Sequence, residues 1–86
     1  MYEAHLEKRN HFKNQYRFYR LSIVPNLFGE WTLYKQWGRI GTKGRTQTEW
    51  HKTQKQARAA MLDVQKQKQR RGYGLHSTQL ELFALL

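Results

Sequence analysis

Trp37, Gly38 and Arg39 stand side by side in the stretch QWGRIGTKGRTQ, residues 36–47. An indole offers a flat face on which a base or sugar can lie, and such stacking is worth about 1–3 kcal/mol per base. A guanidinium presents a planar fork that matches two phosphate oxygens. The glycine between them frees the backbone to turn and lets a ligand strand come close. Lys43 and Arg45 add charge at the same loop. This chemistry holds a polyanion and breaks no bond. Gly41 and Gly44 lack the GxxxxGK[ST] spacing of a nucleotide-hydrolysing loop. His5, His11, His51 and His76 have no ligand-like spacing, so no metal is expected. The six acidic residues form no pair that reads as general acid and base. Neither enzyme activity nor a cofactor is therefore expected. A competing reading makes Trp37 a core residue on one strand face with Trp31 and Leu33, and has Arg39 stack on an aromatic ring or pin a helix.

Charge points the same way. Sixteen Lys and Arg face six Asp and Glu in 86 residues, a formal net of +10, and the sequence pI is near 10.3. A domain pI above about 9 is the footprint of a nucleic-acid binder. The surplus is concentrated in residues 35–71, whereas residues 72–86 contain no Lys or Arg and one Glu. There is no cysteine, so no disulfide or thiolate zinc site supports the fold. No apolar run approaches the ~20 residues of a membrane span. The N-terminal MYEAHLEKRN lacks a signal-peptide core. The expectation is a soluble cytoplasmic protein, nucleoid-associated if it binds DNA, without a membrane partner and monomeric.

The positioning elements follow from periodicity. YEAHLEKR alternates apolar and polar residues and reads as a half-buried strand. YRFYRLSIV is a strand by its aromatic and β-branched content, ended by Pro25. In EWTLYKQW, Trp31, Leu33, Lys35 and Trp37 share a face. The glycines of GRIGTKGR make a hairpin or irregular loop, and TQTEWH returns as a strand. The period then changes. Thr53 with Gln56 has capping-box spacing, and Ala57, Ala60, Met61 and Val64 form one helical stripe. Lys55, Arg58, Lys66 and Arg70 lie on the other side, with Leu62 misplaced among them. Lys68, Arg70 and Arg71 suit the last turn, and Gly72 suits the left-handed terminating position. The predicted fold is α+β: an antiparallel four- to five-stranded sheet with one C-terminal helix packed on one face, over residues 1–73. Residues 74–86 form an apolar tail that is a further strand, a short helix or a flexible segment.

Trp37-Gly38-Arg39, with Ile40-Gly41 and Gly44 after it, resembles the signature of the WGR domain, a module found beside the catalytic region of DNA-dependent poly(ADP-ribose) polymerases and as small bacterial proteins. The resemblance runs from about Tyr16 to Tyr73 and includes FYRLSIV, Ala57 and Met61 in the helix, and Lys68 with Gly72-Tyr73. It implies DNA binding, particularly at ends or breaks, with Trp37 against the sugar of a terminal nucleotide and Arg39 serving phosphate or interdomain contacts. The polymerases often carry Asn where this chain has Tyr16. No ADP-ribosylating domain fits in the chain.

The leading expectation is a non-catalytic DNA-binding module whose nucleic-acid contacts are Trp37, Gly38, Arg39, Lys43, Arg45, Lys55, Arg58, Lys66, Lys68 and Arg70. RNA is the ligand in an alternative reading. In another, the chain is an adaptor: QLELF, residues 79–83, resembles the peptide with which bacterial replication proteins dock on the sliding clamp, with Gln79, Leu80, Leu82 and Phe83 as contacts. Against that stands simple packing of Leu80, Leu82, Phe83, Leu85 and Leu86 on the open sheet face, the reading preferred here because a small domain needs apolar area.

Overall fold

The computed structural model describes residues 2–78, with side chains through Leu75. The QLELF stretch lies outside the described residues. The elements are β1 (Tyr2–Asn10), β2 (Gln15–Pro25), β3 (Trp31–Arg39), β4 (Arg45–His51), α1 (Gln54–Arg70) and β5 (Gly74–Thr78). The strands form one sheet in the order β4-β3-β2-β1-β5, and every neighbouring pair is antiparallel. Four strands therefore form the meander read from the alternation. The fifth begins directly after Tyr73 and pairs with the outer edge of β1, with a register shift between His5 and Leu6. Gly74–Thr78, GLHST, has too little apolar alternation to announce a strand, and its partner is more than sixty residues away in sequence.

Register builds the core in rows across the sheet. Tyr2 lies opposite Ile23, and Ile23 opposite Leu33; Ala4 opposite Leu21, and Leu21 opposite Lys35; Leu6 opposite Tyr19, and Tyr19 opposite Trp37. Leu6, Leu21, Ile23 and Leu33 are fully buried, each contributing about 1.5–3 kcal/mol by leaving water. Ala57 and Met61 of α1 close over them, with Ala60 and Val64 at the margin. Small residues on this stripe let the helix sit close to the sheet. Leu62, out of phase with it, is half exposed. Lys35 is the one charged side chain within these rows, and it is held in an ion pair with Glu49 of β4. That hydrogen bond, reinforced by one with His51, lowers the Glu49 pKa against the opposing effect of burial.

The helix ends are fixed by local chemistry. Thr53 Oγ1 accepts from the Gln56 backbone N–H at 3.1 Å. The Gln56 side chain reaches one residue further back than a reciprocal box requires, accepting from Lys52 N at 3.2 Å. At the other end Gly72 takes φ +95° and its N–H returns to Gln69 O at 3.0 Å, as the left-handed terminator should.

The β3–β4 connection revises the reading of Gly38. It lies within β3 and makes no turn; the chain turns at residues 40–44, where Gly41 and Gly44 have φ of +94° and +66°. A Cβ on Gly38 would sit 2.7 Å from Gly44 Cα, and a Cβ on Gly44 would sit 2.0 Å from the Trp37 carbonyl oxygen. The two glycines face each other so that the loop can fold back against the strand directly behind Trp37. Gly41 has nothing within 4 Å of its virtual Cβ. Gly44→Ala should therefore destabilise the domain by about 2 kcal/mol or more, through both clash and left-handed strain, and Gly41→Ala by about 1 kcal/mol, through strain alone. Thermal denaturation of the two variants checks the order; equal losses would contradict it.

Candidate nucleic-acid interface

β2 and β3 bring Arg17, Tyr19, Trp37 and Arg39 onto the helix-bearing face of the sheet at the end where α1 terminates. Arg17 stands directly opposite Arg39, and Tyr19 opposite Trp37. The Tyr19 and Trp37 rings stack with centroids 5.7 Å apart and planes 12° apart. Tyr73, just past the helix, meets Tyr19 edge-on at 6.4 Å. Trp37 is half-buried, neither sealed in the core nor fully open. One side of the ring supports the Tyr19 stack, and the residue also lines an open cleft of about 570 Å³.

That cleft is walled by the β1–β2 turn with the start of β2 (Lys13, Asn14, Gln15, Tyr16, Arg17, Tyr19), by Trp37–Arg39, and by Lys68 with Tyr73. Lys13, Arg17, Arg39 and Lys68 line it, and among the described residues no Asp or Glu does. Like charges placed opposite each other on neighbouring strands are destabilising, so the arrangement costs stability unless an anion offsets it. Lys68 lies on the sheet-facing side of the helix, one turn beyond Val64. Its ammonium hangs over Tyr19 at 4.7 Å and near Tyr73 at 5.9 Å, while Lys8 approaches Tyr73 from β1 at 6.0 Å. Burial lowers the Lys68 pKa, and Arg71 lowers it further. Burial is also the chief cause that raises the Tyr19 pKa, followed by the nearby Glu49 and Tyr73; the phenol is a neutral surface at physiological pH. Arg39 lies 5.6 Å from the Tyr16 ring, and Tyr16 in turn hydrogen-bonds His11 at 3.0 Å. The stacked alternative for Arg39 is thus realised, with the guanidinium still at the cleft wall.

The other expected residues distribute unevenly. Arg45 is opposite Trp37 on β4 and exposed, adjoining the site on its outer flank. Lys43 lies in the turn beyond it, where its carbonyl accepts from Gln36 Nε2 at 2.7 Å. Lys66 and Arg70 are exposed on the outward side of α1. Lys55 and Arg58 are at the helix start, at the other end of the domain, and Arg58 rests on the Tyr2 ring at 4.5 Å. The sequence therefore brings Trp37, Gly38, Arg39 and Lys68 together and leaves Lys55 and Arg58 apart. Lys13, Arg17, Tyr19 and Tyr73, which are not among the contacts expected from the sequence, also line the cleft. Alternation places Arg17 and Tyr19 on one face of β2, but only the register with β3 sets them beside Arg39 and Trp37.

Residues 2–79 match the family of the WGR domain. The chain belongs to the WGR family. The match begins at β1, well before the Tyr16 at which the sequence resemblance starts, and it includes β5. WGR domains are nucleic-acid-binding modules in poly(ADP-ribose) polymerase-like proteins. An uncharacterized protein of Sinorhizobium fredii, y4dW, is 40% identical over 72 residues, which is 84% of this chain and 35% of that protein. The chain thus spans about a third of that relative's length. No solved structure matches. Among the described residues, no helix is long and apolar enough to cross a membrane.

Within the WGR cleft, Lys68 should titrate below its ordinary value of 10.5 in the free protein. A bound polyanion favours the ammonium and should move that titration upward. The share of affinity due to Lys68 is then complete below the free-state pKa and is lost as pH rises through the bound-state pKa. NMR of the Lys68 side chain, with and without ligand, checks both shifts.

Proposed function

We propose that this WGR domain is a DNA-binding module that holds the sugar–phosphate backbone in the cleft at the end of α1, preferentially at strand ends or breaks, without catalysing a reaction. One observation carries the reading: four cationic residues line a cleft with an aromatic floor and, among the described residues, no acidic lining. A phosphate accepted there would sit between the Arg17–Arg39 pair and the Lys68 ammonium, and it would offset the repulsion among them. Trp37 offers the edge of its ring to a sugar or base at the cleft floor. Arg45 and Lys43 extend the positive track along the β3–β4 turn, which lets a backbone longer than one nucleotide follow it. Family membership supports nucleic acid as the ligand class.

Binding should depend strongly on salt, because neutralising phosphates releases counterions: the slope of log affinity against log salt is about −0.9 per phosphate neutralised on duplex DNA. Arg17→Ala and Arg39→Ala should each weaken binding and reduce that slope by about one. Arg58→Ala, at the far end of the helix, serves as a control and should leave both unchanged. Fluorescence anisotropy with linear, nicked and covalently closed duplexes across a salt series makes the measurement. A flat salt response would overturn the reading, as would equal losses from all three substitutions. Equal affinity for closed and linear DNA would remove the end preference alone.

A further inference from the structure

Phe12 is 97% exposed; Leu27, Phe28 and Trp50 are also exposed, but of these Phe12 is the one next in sequence to residues that line the cleft. It lies at the tip of the β1–β2 turn, immediately before Lys13 and Asn14, which wall the cationic cleft. The turn is rigidly built. Asn10 Oδ1 accepts from Lys13 N at 3.2 Å, and Asn14 N donates to His11 O at 3.2 Å. Asn14 adopts φ +51°, a left-handed conformation that Asn tolerates better than most residues. The His11 ring meets Phe12 edge-on with centroids 6.1 Å apart, and His11 is tied to Tyr16 at the cleft wall. The ring is therefore held out at the rim by a fixed scaffold and contacts little of its own domain.

An aromatic projected beside a phosphate-binding cleft can be used in a specific way. A backbone seated among Lys13, Arg17 and Arg39, with a sugar against Trp37, would leave the attached base free to reach the rim. A ring on the rim then meets the first base that is not covered by a neighbour. In continuous duplex every base is stacked on both sides. At a terminus or gap one base face is open, and a rigid apolar ring can cover it or wedge beneath it.

We propose that Phe12 is a base-contacting residue, stacking on the terminal or unpaired base of DNA whose backbone occupies the cleft; this rests on the DNA-binding reading above. The ring reports the presence of an open base face, whereas the cleft supplies sequence-independent grip. The two roles separate experimentally. The full chain is titrated onto a duplex with 2-aminopurine at its last base pair, and onto the same duplex with both ends closed by hairpin loops. Phe12→Ala removes a ring that packs on little, so the fold is expected to persist, and circular dichroism verifies it. Phe12→Trp retains a stacking face. Phe12→Ala should lower affinity for the open-ended duplex about tenfold, abolish the 2-aminopurine fluorescence change, and leave the salt slope and the weaker binding to closed duplex intact. Phe12→Trp should restore both affinity and signal. Unchanged affinity and signal in Phe12→Ala, with DNA still bound, overturns the role of Phe12 and spares the cleft. Absence of DNA binding by the unmodified chain overturns both. A Phe12-dependent preference for matched RNA over DNA overturns the assignment to DNA.

Discussion

The Lys68 ammonium over the Tyr19 ring is the contact on which the cleft depends. Helix and sheet are joined elsewhere by apolar packing, in rows that end at Ala57, Met61 and Val64. Beyond Val64 the interface changes character: a cation from the helix lies on an aromatic floor from the sheet. An apolar side chain at position 68 would close the gap more cheaply, since burial already disfavours the charged lysine. A cation there keeps the end of the interface open and electropositive. Lys68 thus makes the helix both a cover for the core and one wall of the cleft, and its carbonyl still accepts from the Arg71 and Tyr73 N–H groups at 3.0 Å, which satisfies the helix end.

The glycines around Trp37 act on the same site from the opposite side. Gly38 and Gly44 approach so closely that neither admits a side chain. Their contact sets the path of the β3–β4 loop, and Thr42 stiffens it by donating to the Arg39 carbonyl at 2.7 Å. The motif glycine is thereby explained by backbone packing. Trp37 is held by register and stacking, Arg39 by its strand position and Tyr16, so their geometry is set before any ligand arrives.

Much of the fold was legible because the sequence changes period cleanly. Tyr2, Ala4 and Leu6 alternate with polar residues; Ala57, Met61 and Val64 recur at helical spacing; Thr53 and Gly72 mark the helix ends. β5 was not, because GLHST has no apolar rhythm and its pairing depends on a strand at the other end of the chain. The site was half legible. Trp37 and Arg39 flank one glycine and announce themselves, and Lys68 stands out as a helix-end cation. Arg17, Lys13 and Tyr19 are ordinary basic and aromatic residues until strand pairing brings them to the cleft. Conversely, charge alone groups Lys55 and Arg58 with Lys68, whereas the 17-residue helix carries them to the opposite end of the domain.

The walls of the cleft come from widely separated segments: the first hairpin, the middle strands, and the junction of α1 with β5. The lining runs from Lys13 to Tyr73, so no fragment shorter than that span contains all of it. The cavity is consequently a property of the completed topology, assembled only when contacts of high sequence separation are in place, and such contacts form late and slowly. A molecule seated there would draw on the whole cooperative fold, and its binding energy would protect backbone amides throughout the sheet, β1 as much as β3, from exchange with solvent.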